Sequence, residues 1–284
     1  MKNAPQDSQL SDVSTVKLLA LALVLIIVWG TAYTMVSVAV RDTSPIWLVA
    51  SRTALGAVLV TVYAFWRGHR FPPLSDKRWL WYTALAFTGM TAPFFLLSVG
   101  QITVDSGIAS IIAGAMPLAT IVLAHFFAGE HLTWRKSFGF AVGFVGVVIL
   151  FLPDNLSLEL VNDWTGQALI LLAAMFYAVT TVAAKRAPET PSSLGAAMMV
   201  TMAAVMSTVL ALMSGMPQAL PSALSVWMIF GLGAGSTGLA TIIYLYVIQH
   251  RGPSVLAKIN YFPPVVSVIA GLWFLNEPFS WRIV

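Results

Sequence analysis

Cysteine does not occur among the 284 residues, which excludes a disulfide framework, a thiol nucleophile and any thiolate metal site. Charge is nearly as scarce. Asp, Glu, Lys and Arg make up 9% of the chain, against about 25% in a soluble globular domain. So little charge cannot clothe the water-facing surface of a 30.6 kDa chain. With 58% hydrophobic residues, the solvent that fits is a lipid bilayer. Acids are also missing from one particular place. No Asp or Glu lies deep in any long apolar run, so a carboxylate proton relay has no obvious residue. Neither H-E-x-x-H nor a P-loop occurs, and no paired intramembrane carboxylates or Ser–His cluster would serve an intramembrane enzyme. "GAGSTG" (233–238) spells G-x-G-x-x-G, but it follows no strand and opens no βαβ unit. It is not a dinucleotide site, and no cofactor or metal is expected.

What the chain has is apolar runs long enough to cross a bilayer, which takes about 20 residues. They fall at 17–40, 45–66, 79–99, 106–127, 134–152, 166–184, 193–214, 224–249 and 254–275, nine in all. Turn chemistry or charge separates them, as in "RDTSP", "RGHRFPPLSDKR" and "HRGPS". The first run is too long for the core of a cleavable signal and reads as a membrane helix. With the N-terminus in the cytoplasm, that side collects Lys2, Lys17, Arg67, Arg70, Lys77 and Arg78. It also receives Arg135, Lys136, Lys185, Arg186 and Arg251, and the far side only Arg41 and Arg282. Basic residues accumulate on the cytoplasmic side of membrane proteins, so this orientation is the expected one. The net charge of +4 therefore reports orientation, not a nucleic-acid partner. The partners expected are the lipid bilayer and a small-molecule substrate. "GFAVG" (139–143) is a GxxxG pattern that could join a neighbouring helix or a second copy in a homodimer.

One punctuation mark is written twice. "GEHLTWRK" (129–136) and "NEPFSWRIV" (276–284) share Glu, two residues, a hydroxyl, Trp and Arg. A shift of 147 residues superimposes Glu130 on Glu277, Trp134 on Trp281 and Arg135 on Arg282, and also Pro117 on Pro264. Further up the chain, "WGTAYTMVSVA" (29–39) resembles "YAVTTVAAKRA" (177–187). Each unit thus holds five spans, and an odd number turns the second copy upside down in the membrane. The fold class expected is all-α, with two inverted five-helix repeats. Residues 1–16 form an N-terminal cytoplasmic tail, 17–152 the first repeat, 153–165 an external linker and 166–284 the second repeat. The second unit stops where its fifth helix would begin, so a tenth helix is expected beyond Val284. Inverted repeats are the architecture of secondary transporters. Locally, Thr133 and Ser280 can N-cap the helices starting at Trp134 and Trp281, with Glu130 and Glu277 placing negative charge beside their positive ends.

These features together resemble a known group. "WGTAY" in the first helix, "SR" in the second and Pro…Glu-x-x-[Thr/Ser]-Trp-Arg closing the fourth and ninth are similar to the drug/metabolite transporter superfamily, specifically its EamA-type exporters. The resemblance implies a ten-helix carrier of the inner (plasma) membrane that exports amino acids, related metabolites or drugs by alternating access. A channel or assembly subunit without its own transport cycle is the other class that the composition allows.

Cargo in such carriers sits near the midplane, where helices are broken by Gly or Pro. Three stretches qualify: "TGMTAPFF" (88–95, with Pro93), "GLGAGSTG" (231–238, with Gly235) and "NYFPP" (260–264). Pro263 and Pro264 donate no backbone hydrogen bond, so the carbonyls of Ile259 and Asn260 are expected to be free. Pro117, Glu130 and Glu277 complete the expected hinge and structural positions. Candidate cargo-binding residues are Trp29, Tyr33, Phe94, Tyr177, Tyr244 and Tyr261 for their rings, and Asn260 for its amide. Each ring has ordinary membrane packing as its alternative. Arg52, about seven residues into the second span, either pairs a substrate carboxylate or bonds helix-end groups. His125 stands within a span as a proton relay or a satisfied hydrogen-bond partner.

The absence of cysteine makes the topology directly testable. In otherwise unaltered chains, His131→Cys and Pro278→Cys are expected to react with an impermeant maleimide from opposite faces of the membrane. Labelling of both from one face would overturn the inverted repeat.

Overall fold

The computed structural model describes residues 15–128, 134, 138–139, 142, 161–217 and 219–277. Eight helices in it are long and apolar enough to cross a membrane. They are α1 (Thr15–Ala39), α2 (Pro45–Trp66), α3 (Arg78–Gly100), α4 (Ser106–Phe127), α5 (Trp164–Ala184), α6 (Ser192–Met213), α7 (Ala223–Arg251) and α8 (Pro253–Leu275). Most of the expected span at 134–152, Glu130, most of "GFAVG" and the helix expected from Trp281 lie outside the described residues. Among the described residues every regular element is helical.

The helices are apolar outward and carry their polar side chains inward. Val62, Val209 and Trp273 are exposed, whereas Arg52, Thr53, Ser207 and Thr237 are buried. That distribution suits a chain whose outer solvent is hydrocarbon. Contacts at the helix ends fix the alternation. At the Lys/Arg-rich end, Lys17 donates to the Tyr246 hydroxyl (3.0 Å), and Gln249 Nε2 donates to the Thr190 carbonyl (2.9 Å). At the other end, Trp47 Nε1 donates to the Gly215 carbonyl (2.9 Å), and the Ser222 amide to Asp42 Oδ2 (2.9 Å). The Ser222 and Ser225 side chains, with the Ser222 amide, hold the Asp42 carboxyl down at about 2. This tie is therefore fully formed above the ordinary carboxyl range and is lost as the pH falls through about 2.

The packing shows the repeat. α1 starts beside the end of α7, at the Lys/Arg-rich end, while Gly166 near the start of α5 sits against Gly100 and Thr103 at the opposite end. The first helices of the two units therefore run in opposite senses. Pairing α1 with α5, α2 with α6, α3 with α7 and α4 with α8 exchanges the major contacts. α1 packs on α7 and α8; α5 packs on α3 and α4. α2 packs most extensively on its own counterpart, α6. Close approach of α2 and α7 depends on Gly233, where a Cβ would come within 2.9 Å of the Arg52 carbonyl oxygen and 2.8 Å of Leu55.

Most of the irregularities are paired too; a π-helical stretch at Gly271–Leu275 in α8 has no counterpart in α4. Phe87–Thr91 in α3 and Leu232–Leu239 in α7 are π-helical, with the amides of Ala92 and Ala240 bonding five residues back to Phe87 and Gly235. The sequence implied breaks here; the chain instead widens by a residue and stays continuous. Pro93 explains the first case, since it has no N–H for the i→i−4 ladder. α4 is interrupted at Gly114 and Ala115, just before Pro117, and α8 at Asn260–Phe262, just before Pro263. The expectation that the Ile259 carbonyl is free does not hold. The Phe262 amide turns back to it at 3.1 Å, because the interrupted turn tightens to i→i−3.

Glu277 makes a contact that its local sequence does not reveal. Its carboxylate reaches across to the start of α4, accepting from the amides of Ser106 (2.8 Å) and Gly107 (3.1 Å). It thus neutralises orphan N–H groups of a helix in the other repeat. Ser267 reinforces the junction, donating to the Ser106 carbonyl (3.0 Å). Glu277→Gln removes the charge from both bonds. A loss of about 1–2 kcal/mol is expected, read as a lower melting temperature of the detergent-purified protein; an unchanged melt would show that the contact contributes nothing.

Candidate functional site

The interruptions surround one cavity, partly open to solvent, to which all eight described helices contribute. Its position follows from the backbone. Widened and broken turns expose carbonyls, and these are tolerated at membrane depth only against protein or a water-filled space. Gly89 and Met90 come from the π-turn of α3, Ser236 from that of α7, Gly114 from the gap in α4, and Asn260 and Pro263 from the gap in α8.

Two ring pairs face the space. Trp29 of α1 meets Tyr244 of α7 edge to face, with centroids 6.4 Å apart. Phe94 of α3 meets Tyr177 of α5 in the same manner, also at 6.4 Å. The repeat exchanges these helix pairs, so the cavity carries one aromatic pair from each side of the pseudo-symmetry. Such contacts stiffen apolar walls. The Tyr244 hydroxyl and the Asn260 Nδ2 are sealed from solvent without a hydrogen-bond partner; Thr181 lies beside Tyr244 but outside bonding geometry. The Thr181 hydroxyl instead donates to the Tyr177 carbonyl (2.9 Å).

Arg52 is 3% exposed. Its Nε donates to Thr237 Oγ1 (3.0 Å) and its Nη2 to Ser236 Oγ (2.8 Å). The guanidinium lies over the Phe94 ring, 3.9 Å from its centroid. α2 and α7 thus hold one cation between two hydroxyls and an aromatic face.

Of the sequence candidates, Trp29, Tyr33, Arg52, Phe94, Tyr177, Tyr244 and Asn260 line this single space. Tyr261 does not: one residue past Asn260, it turns outward and is 48% exposed. His125 also lies outside the lining. Sequence reasoning missed Ser110, Thr180, Thr181, Met199 and Thr241. Ser236 and Thr237 lie within the broken stretch 231–238, without being among the named candidates. Small hydroxyl residues on the π-turn opposite Arg52 were the available signal. The gap in α4 was not among the three broken stretches, although the register of Pro117 with Pro264 marked it.

A cavity walled by broken helices of two inverted repeats is the architecture of a membrane carrier. The chain belongs to the EamA-like transporter family, which matches residues 16–152 and again 164–284, once for each repeat. It is similar to YedA, an uncharacterized inner membrane transporter of Escherichia coli (strain K12), at 27% identity over 90% of this chain and 82% of that one. It is also similar to a probable terminal-alkyne amino-acid exporter of Streptantibioticus cattleyicolor, at 26% identity over 90% of this chain and 86% of that one. A crystal structure with 20% identity shares the fold at a TM-score of 0.71, covering 95% of this chain and 92% of its own.

Tyr244→Phe deletes a buried hydroxyl that has no partner. Melting temperature is expected to hold, or to rise by the equivalent of up to about 1 kcal/mol. A clear fall in a thermal melt would reveal a bond that the geometry does not contain.

Proposed function

We propose that this transporter exports small metabolites, most simply amino acids or related compounds, by alternating access across the inner membrane, with its N-terminus in the cytoplasm. The observation that carries this reading is the cavity between the repeats, reached by all eight described helices and bordered by interruptions that the repeat pairs. Trp29, Tyr33, Phe94, Tyr177 and Tyr244 take the apolar part of the cargo, and Asn260 and Arg52 its polar groups. The π-turns and the gaps before Pro117 and Pro263 act as hinges, as local departures from the α-ladder do in transporters. The exporter of S. cattleyicolor supports amino-acid cargo, and the bias of Lys and Arg toward one end supports the orientation.

The test is counterflow in liposomes containing the full chain, with a panel of labelled amino acids. Saturable uptake of label driven by the same unlabelled compound inside is expected for at least one of them. In cells, expression is expected to raise resistance to a toxic analogue of that compound. Flux that never saturates and shows no counterflow would identify a channel instead.

A further inference from the structure

We infer that the cargo carries a carboxylate, and that Arg52 receives it end-on as the only ionic contact the described cavity supplies. The inference rests on the carrier reading for the identity of the site and adds the charge of what occupies it.

Arg52 has five N–H donors in a fixed plane. Its side edge is occupied, with Nε on Thr237 and Nη2 on Ser236. Those two hydroxyls hold the orientation of the group, and Phe94 covers one face of its plane. The end-on edge, made by one Nη1 proton and the second Nη2 proton, lies outside the two bonds to Thr237 and Ser236, and Arg52 lines the open volume. That edge has the spacing of two carboxylate oxygens and accepts them as parallel, charge-assisted bonds.

The charge balance points the same way. No Asp or Glu is among the lining residues. A guanidinium buried at this depth without a counter-ion is costly, and the partner that would offset the cost is absent from the described protein. An anion on the cargo supplies it. An ammonium on the cargo finds no carboxylate here, only neutral carbonyl, hydroxyl and amide acceptors and ring faces such as Trp29 and Tyr244, which attract cations more weakly. The carboxylate is therefore the required group and the ammonium a dispensable one.

The probes are leucine, its deaminated form 4-methylpentanoate, its decarboxylated form 3-methylbutylamine, and the neutral 4-methylpentanamide. All four share one apolar body. Binding is measured by calorimetry on the detergent-purified full chain, and transport by counterflow in liposomes. The unaltered chain is expected to bind 4-methylpentanoate at least as well as leucine, and at least tenfold more tightly than the amine or the amide. In Arg52→Gln the preference for the acid over the amide is expected to disappear; in Arg52→Lys it is expected to survive in reduced form. The ligand series on the unaltered chain stands even if a variant fails to fold. Equal binding of the amine and the acid would overturn the inference. So would an acid preference that persists in Arg52→Gln, or a failure of all four probes to bind at millimolar concentration. Acid-selective binding without counterflow would leave the inference standing and remove the carrier reading instead.

Discussion

Backbone hydrogen bonding in a medium that offers no water is the constraint on which this molecule depends. Each N–H and C=O must find a partner inside the protein or face a wet space. The eight described helices meet that demand along most of their length, and the four that do not are irregular where they border the cavity. Proline is the agent in three of them. Pro93 follows a π-turn, while Pro117 and Pro263 follow gaps. In α7 the same effect is reached with glycine and small hydroxyl residues, which also let α2 approach closely. Most of the chain's departures from the α-ladder thus gather at the cavity, and the position of the polar groups follows from it.

The two halves are joined by polar contacts that each cross the pseudo-symmetry. Arg52 of the first repeat is held by Ser236 and Thr237 of the second. Glu277 of the second repeat closes the first turn of α4 in the first. In both cases an ionic group from one unit satisfies, or is satisfied by, groups at an irregular or terminal turn of the other. The cavity is therefore not a cleft within one bundle but a product of their meeting.

Much of this was legible in the sequence. The ends of the described helices lie within about three residues of the apolar runs, because length and charge decide what spans a bilayer. The repeat was carried by a few identities in one register, and the structure pairs the helices as that register requires. What the sequence concealed depended on tertiary direction. Tyr261 is adjacent to Asn260 yet faces the other way, and spacing within a broken helix cannot decide which of two neighbours turns inward. Glu277 reads as negative charge beside its own next helix, and only the fold brings the start of α4 within its reach. The carbonyl of Ile259 looked orphaned because the reading assumed an unbroken α-ladder; a tightened turn supplied the missing donor. The hydroxyls at 236 and 237 were hidden inside a glycine-rich string whose familiar pattern belongs to a different fold.

The close packing of α2 on α6 has one further consequence. These helices are each other's counterparts, so the pseudo-twofold axis passes between them. An operation that swaps the shapes of the two halves moves contacts such as α1 on α7 onto a different pair, but returns this pair to itself, as it does α4 and α8. If the halves exchange shapes as the proposed alternating access requires, α2 and α6 can stay packed as a shared spine while the helices around them move.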